Sequence, residues 1–306
     1  MRERDLIARL LAPLATSSTA RGLTDDAAVF SPPIGRDLVF THDVLASGVH
    51  YLPGDNPSDV AWKLLAVNLS DLAAMGARPA GVLLGLGLSA AEDEAWVTGF
   101  AAGLKRAMDR WGVALWGGDT VSGLAAAVLG LTAIGQVEPG QALARSGANP
   151  GDTLWVSGTI GDAGLGLAIA TGEAAPDKFL LDRYRRPEPR LALGQLLVGQ
   201  ATAAMDVSDG LLIDSERLAL ASGVAITIDL ALMPVSSAAA ARTARDDAGL
   251  AGLASAGDDY ELLFTLPPSL TMPGATLVGS VGKGEGLIVL GLDGQPFAPS
   301  KLGYEH

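Results

Sequence analysis

The chain has 306 residues, no cysteine, and 21 Lys and Arg against 34 Asp and Glu, for a formal net charge of -13. Disulfides, thiolate metal sites and thiol nucleophiles are therefore excluded, and with no basic run or aromatic-basic stripe there is no footprint for nucleic acid. At 49% hydrophobic residues the length suffices for two ordinary domains, while no apolar run approaches the roughly 20 residues that span a bilayer.

In chain order, MRERDLIARLLAPLATSS predicts an amphipathic helix with nothing that marks export. AAVF (27–30) and DLVFTHDVL (37–45) predict early strands, and a helix is expected over 56–76, with Asn56 as cap and Pro57 in the first turn. AGVLLGLGL (80–88) predicts a strand. AEDEAWVTGFAAGLKRAMDRWG (91–112) predicts a helix closed by Gly112, and VALWGGD (113–119) and AAAVLGLTAIGQV (125–137) two more strands. Pro and Gly then concentrate in VEPGQALARSGANPGD, so a domain boundary is placed near 137. Beyond it come a strand in TLWVSG, helices from GDAGLGLAIA and through RLALGQLL, and AMDVSDGLLIDSERLALASG leading to a strand in VAITIDL. The Ala-rich stretch 237–254 predicts a helix, and YELLFTL, ATLVGSV and GLIVL predict closing strands. Apolar β-branched runs alternating with longer helical patterns define a mixed α/β (α+β) architecture in two domains, 1–137 and 138–306.

The informative feature is where the aspartates fall. Asp26 precedes AAVF, Asp43 ends LVFTH, Asp119 follows VALWGG, and Asp206 and Asp209 bracket Val207-Ser208. Any one of them fits a strand end that prefers Asp for local hydrogen bonds. As a set, carboxylates beside apolar neighbours need pairing or a cation, and oxygen donors without Cys suit hard ions such as Mg2+. Asp71 sits inside the apolar helix pattern NLSDLAAMGARP, three residues after Asn68 on the same face; the plain alternative is a solvent-facing pair. In MDVSDG the alternative is a helix cap by Asp206 or Ser208. GGDT (117–120) is either a tight turn or a place where backbone N–H groups approach phosphate, and no Walker-type loop is present. His50 is either structural or a ligand contact.

The stretches DDAAV, THDVLASGVHY, NLSDLAAMGARP, GGDT, RSGANPGD, SGTIGDA, RRPEPR, MDVSDGLLID, DYELLF and GYEH, in this order, resemble the thiamine-monophosphate kinase family of the aminoimidazole ribonucleotide synthetase-like superfamily. The resemblance implies transfer of the terminal phosphoryl group of ATP to thiamine monophosphate in a cytoplasmic homodimer that joins through its N-terminal sheets. It implies several Mg2+ ions held by Asp26, Thr41, His42, Asp43, Asp71, Asp119, Asp206 and Asp209. Gly117, Gly118, Arg145 and Ser208 are implied nucleotide contacts, and His50, Asp258 and Tyr304 substrate contacts. The N-terminal domain would carry ATP, Mg2+ and dimerisation, and the C-terminal domain would complete both sites. The chain departs from the family pattern at Thr41-His42-Asp43, where Ser-Thr-Asp is usual, at Asp258, where Glu is usual, and in the tail before Tyr304. No general base is expected, because a phosphate oxygen with a second pKa of roughly 6 is already ionised. The readings set against this are a sister ATP-using synthetase and a non-catalytic nucleotide or cation-binding module.

Overall fold

A computed structural model describes residues 3–304, so the last two residues of the GYEH stretch lie outside the described residues. The chain divides into two compact units. One takes the chain up to Leu72 together with Ala77–Gly140, the other Ala73–Gly76 together with the chain from Gln141.

In the first unit the predicted opening helix is short and irregular. Helix α1 (Glu3–Leu6) runs through a π-helical stretch, Ile7–Leu11, into a 3-10 turn, Ala12–Leu14, where Pro13 removes a helical donor. AAVF forms no strand. Phe30 instead packs against Trp116, with ring centroids 4.5 Å apart and the rings tilted by 31°, and Val29 N–H donates to the Thr19 carbonyl at 3.0 Å. The first strand is β1 (Asp37–Ala46), followed by α2 (Pro57–Ala74), β2 (Arg78–Ser89), α3 (Glu94–Trp111), β3 (Leu115–Leu124) and β4 (Val128–Val137). Helix α2 begins as expected, with Asn56 Oδ1 accepting from Ser58 N–H at 2.9 Å. Gly112 closes α3 in the left-handed conformation (φ 66), which satisfies a terminal carbonyl without a Cβ clash.

These strands form a mixed sheet in the order β1-β4-β2-β3, with β2 and β3 parallel and the other pairs antiparallel. Leu64, Leu65, Leu69 and Leu72 of α2 and Phe100 and Leu104 of α3 are fully buried with Leu115, Leu129 and Leu131. GGDT lies within β3, not in a tight turn. Gly118 has a packing reason to be glycine, since a Cβ there would overlap the Leu84 carbonyl of β2.

The second unit carries β5 (Thr153–Ser157), α4 (Asp162–Ala170), α5 (Lys178–Arg185), α6 (Leu191–Leu197), β6 (Ala203–Val207), α7 (Leu211–Ser222) and β7 (Ala225–Asp229). Then follow α8 (Ser237–Ala240), α9 (Asp247–Ala254), β8 (Glu261–Leu266), β9 (Ala275–Gly282) and β10 (Gly286–Leu290). The Ala-rich stretch is thus two helices, because Asp246 caps a new one by accepting from Gly249 N–H. The strands order as β10-β7-β9-β5-β8-β6, antiparallel except for β10 and β7. A large core under α4, α7 and α9 includes Leu154, Val156, Leu212, Leu218, Ile226 and Leu263.

Candidate active site

In the first unit, strand alternation sorts the residues around β1. Thr41 and Asp43 are half-buried, on the face that meets α2, whereas Phe40, His42 and Val44 are exposed on the other face. Helix α2 meets the first set with Asn68 and Asp71. Asn68 is fully buried and accepts from Asp43 N–H at 3.0 Å, while its own amide donates to the Leu64 carbonyl at 2.9 Å. One turn on, Asp71 accepts a hydrogen bond from the Thr41 hydroxyl. Asn68 and Asp71 are therefore not a solvent-facing pair. Burial, and then the charge of Asp71, push the Asp43 carboxyl up to about 6 from 3.8. Two carboxylates close enough to repel, one of them bonded by the Thr41 hydroxyl, form an all-oxygen set that a hard cation would relieve.

The other expected ligands in this unit lie apart from that pair. His42 points to the opposite sheet face, with Nδ1 2.9 Å from Thr132 Oγ1. Asp119 pairs across to Gly85, which pairs to Gly130 and so to Val44, placing its side chain on that outer face too. Asp26 is exposed in a bend. Among the described residues no three His, Cys, Asp or Glu side chains are grouped closely enough to hold a metal alone. Mg2+ is commonly held by one or two carboxylates plus substrate phosphates and water, so the Asp43–Asp71 pair with Thr41 fits that ion. His50 Nδ1 accepts from Ala46 N–H at 3.1 Å, which leaves the ring proton on Nε2, and its carbonyl accepts from the buried Lys63 ammonium at 3.1 Å.

In the second unit three distant stretches converge. Asp206 is buried at the end of β6, and Ser208 and Asp209 follow in the turn to α7. The Ser208 carbonyl accepts from Asp258 N–H at 2.8 Å, and the Asp209 carbonyl from Tyr304 N–H at 2.9 Å. Asp258, Ser208, Asp209 and Tyr304 are thus brought together. Arg145 lies on an exposed loop, its carbonyl accepting from the Ser222 hydroxyl at 3.1 Å.

The organiser of this turn was not singled out by sequence. Helix α7 has Gly210 at its N-cap and no side-chain cap, so neither Asp206 nor Ser208 caps it. The buried Asp214 carboxylate does that work from inside, accepting N–H of Ser208, Asp209 and Gly210 at 3.0, 3.1 and 3.3 Å. Burial raises its pKa, and the Asp209 backbone donor and Arg217, at 2.8 Å, offset part of the rise. Arg217 also pairs with Asp209 at 2.5 Å. Two more acids were missed, Asp259 and Glu261, both buried near the Arg183 and Arg190 guanidiniums. The only local signal was an acidic run, Asp258, Asp259 and Glu261, leading into the fully buried strand β8.

Residues 24–137 match AIR synthase related protein, N-terminal domain, and residues 149–290 match AIR synthase related protein, C-terminal domain. The chain is 41% identical to the thiamine-monophosphate kinase of Caulobacter vibrioides over 319 residues, 99% of this chain and 90% of that one. It is 40% identical to a crystal structure of thiamine-monophosphate kinase from Stenotrophomonas maltophilia, with a TM-score of 0.84 over 97% of this chain and 98% of that one. A structure described as AaThiL complexed with AMPPCP and TMP is 30% identical, with a TM-score of 0.81, covering 100% of this chain and 99% of that one. The chain belongs to the thiamine-monophosphate kinase family.

Proposed function

We propose that the chain transfers the terminal phosphoryl group of ATP to the phosphate of thiamine monophosphate, releasing thiamine diphosphate and ADP. The observation that carries this reading is the full-length likeness to thiamine-monophosphate kinases, one solved relative being complexed with AMPPCP and TMP. The oxygen-lined Asp43–Asp71 pair and the convergent Ser208–Asp209–Asp258–Tyr304 turn give it residues to act with.

Both reactants are polyanions and the chain carries -13, so bringing them together requires cations. Thr41, Asp43 and Asp71 would hold Mg2+, with Asp26, Asp119, Asp206 and Asp209 as further ligands and His42 contributing through its backbone. Bound Mg2+ supplies charge neutralisation on the phosphate oxygens. The protein's own share is position: His50 presents Nε2–H to an acceptor phosphate oxygen, and Arg145 and Ser208 meet the nucleotide. Gly117 and Gly118 leave β3 without side-chain bulk beside the nucleotide phosphates, and Asp258 and Tyr304 meet the thiamine moiety. The attacking phosphate oxygen is already ionised near neutral pH, so in-line positioning does most of the catalytic work.

In this reading the first unit serves ATP, Mg2+ and dimerisation, and the second completes the nucleotide and acceptor contacts. The protein would act as a cytoplasmic homodimer; no helix among the described residues is long and apolar enough to cross a membrane. The test is incubation of purified protein with ATP, Mg2+ and thiamine monophosphate, followed by chromatography of the thiamine species. Thiamine diphosphate formed from the monophosphate, not from thiamine, and abolished by EDTA is expected. ATP binding without any product would overturn the kinase reading in favour of a binding module.

A further inference from the structure

The second unit buries three carboxylates, Asp162, Asp259 and Glu261, around two guanidiniums, Arg183 and Arg190. Glu261 takes both arginines, with Arg190 Nε at 2.6 Å and Arg183 Nη2 at 2.8 Å, and also accepts from the Ser157 hydroxyl at 2.5 Å. Asp162 accepts from the hydroxyls of Thr159 and Ser236. Asp259 is used differently. Its two oxygens accept backbone N–H groups of Gly161 at 2.6 Å and Ala163 at 3.2 Å, at the start of α4.

Asp259 is flanked by Asp258 and Tyr260, both in the left-handed region with φ of 69° and 51°. Residues with side chains persist there only when their surroundings hold them. On one side the turn is tied to the β6–α7 segment, through Asp258 N–H to Ser208 O and Tyr260 N–H to Val207 O, both 2.8 Å. On the other side the Asp259 carboxylate ties it to α4. The main chain of Asp258 is thus fixed between two elements, one of which carries Ser208 and Asp209.

We propose that Asp259 is a positioning residue for the phosphoryl acceptor: it fastens the Gly257–Tyr260 turn to the first turn of α4 and thereby sets where the Asp258 carboxylate stands. This rests on the reading of Asp258 as an acceptor contact in a thiamine-monophosphate kinase. Three carboxylates against two guanidiniums, with Asp259 almost fully buried, agree with its carboxyl being pushed up to about 7, chiefly by burial.

The test is Asp259→Asn, which keeps the volume and one acceptor oxygen but turns an amide NH2 toward one of the two backbone donors. KM for thiamine monophosphate should rise about tenfold while KM for ATP changes less than about twofold, and calorimetric affinity for thiamine monophosphate should fall in parallel. In an Asp258→Ala background the same change should add less than about twofold, because the group it positions is gone. A lowered Tm with unchanged KM, or equal effects in both backgrounds, would make Asp259 merely structural and overturn the inference. Should the variant not fold, hydrogen exchange on the wild type decides. Thiamine monophosphate should slow exchange at the N-terminal turn of α4, and no change there overturns the proposal. Wild-type protein that makes no thiamine diphosphate overturns the kinase reading and this inference together; active wild type with an unchanged Asp259→Asn variant overturns this inference alone.

Discussion

At the scale of single residues, the site is built by burying one carboxylate close to another. Burial, and after it the charge of Asp71, raise the Asp43 carboxyl. Asp71→Asn should therefore lower kcat by at least about 100-fold, in line with the loss of a charge-stabilising ligand, yet leave Tm unchanged or slightly higher. Product formation and a thermal melt on the same preparation check both halves, and a drop in Tm with most activity kept would remove Asp71 from the site. Asp259 gives the pH dependence. Its folded pKa of about 7 lies above 3.8, so between those values the folded chain binds the proton more tightly than the unfolded one. Its contribution to stability is therefore fully present below 3.8 and is lost as pH rises through about 7. Urea unfolding between pH 5 and 8 should show this decline in the wild type and a flatter profile in Asp259→Asn; parallel profiles would contradict it. Asp71 was legible in the sequence because a carboxylate inside an apolar helical pattern needs a reason. The separation of His42 from Thr41 and Asp43 was not read, although a strand's alternation puts neighbours on opposite faces. Asp259 and Asp214 were not legible, because their partners are backbone N–H groups that become donors toward them only once the turns exist.

At the scale of elements, the turn between β6 and α7 shows how one side chain can shape a site it need not touch. Asp214→Ala would orphan three backbone N–H groups, that of Gly210 buried and those of Ser208 and Asp209 half-buried, and remove one partner of Arg217, a loss of about 3 kcal/mol. Denaturant unfolding should register that loss, and turnover should fall with it because Ser208 and Asp209 ride on the same turn; a stability change under about 1 kcal/mol would refute the assignment. Helix packing offers a second case. A Cβ at Gly103 of α3 would run into the backbone of Ser58 in α2. Gly103→Ala should destabilise by about 1–2 kcal/mol in thermal melts, because overpacking against backbone outweighs the roughly 1 kcal/mol gain in helix propensity. The strong periodic elements were readable from residue order, since Asn56, Pro57 and Gly112 mark ends by local chemistry. AAVF was misread because four apolar residues satisfy a strand pattern equally well when one of them, Phe30, is only an anchor on Trp116. Helix α5 was overlooked although Asp177 caps it by accepting from Leu180 N–H, because eight residues before a Pro-rich run give too little periodicity.

At the scale of the whole molecule, the outer face of the first sheet is what the fold leaves unfinished. The α2 and α3 side is packed, while Phe40 and Val44 of β1, Leu83 of β2, Val121 and Leu124 of β3 and Val128 of β4 are exposed, Phe40 by 64%. The strand register puts Phe40 and Val44 on one face with Leu83, Val121 and Val128 through the rows His42–Thr132–Leu83 and Ala46–Val128–Val121's neighbour Gly87. Scattered single exposures need no explanation, but several apolar side chains across four paired strands form a surface of the kind that associates. A second copy of this chain would suit it, since a twofold contact needs only one self-complementary patch. Charge substitution is the sharpest probe, because each introduced carboxylate would face its own symmetry mate as well as apolar neighbours. Phe40→Glu combined with Val44→Asp should convert a dimer into a monomer at micromolar concentration in sedimentation velocity, with far-UV circular dichroism retained because neither side chain contributes to the inner core. A wild type that sediments as a monomer, or a double variant that remains dimeric, would leave this face without the role argued for it.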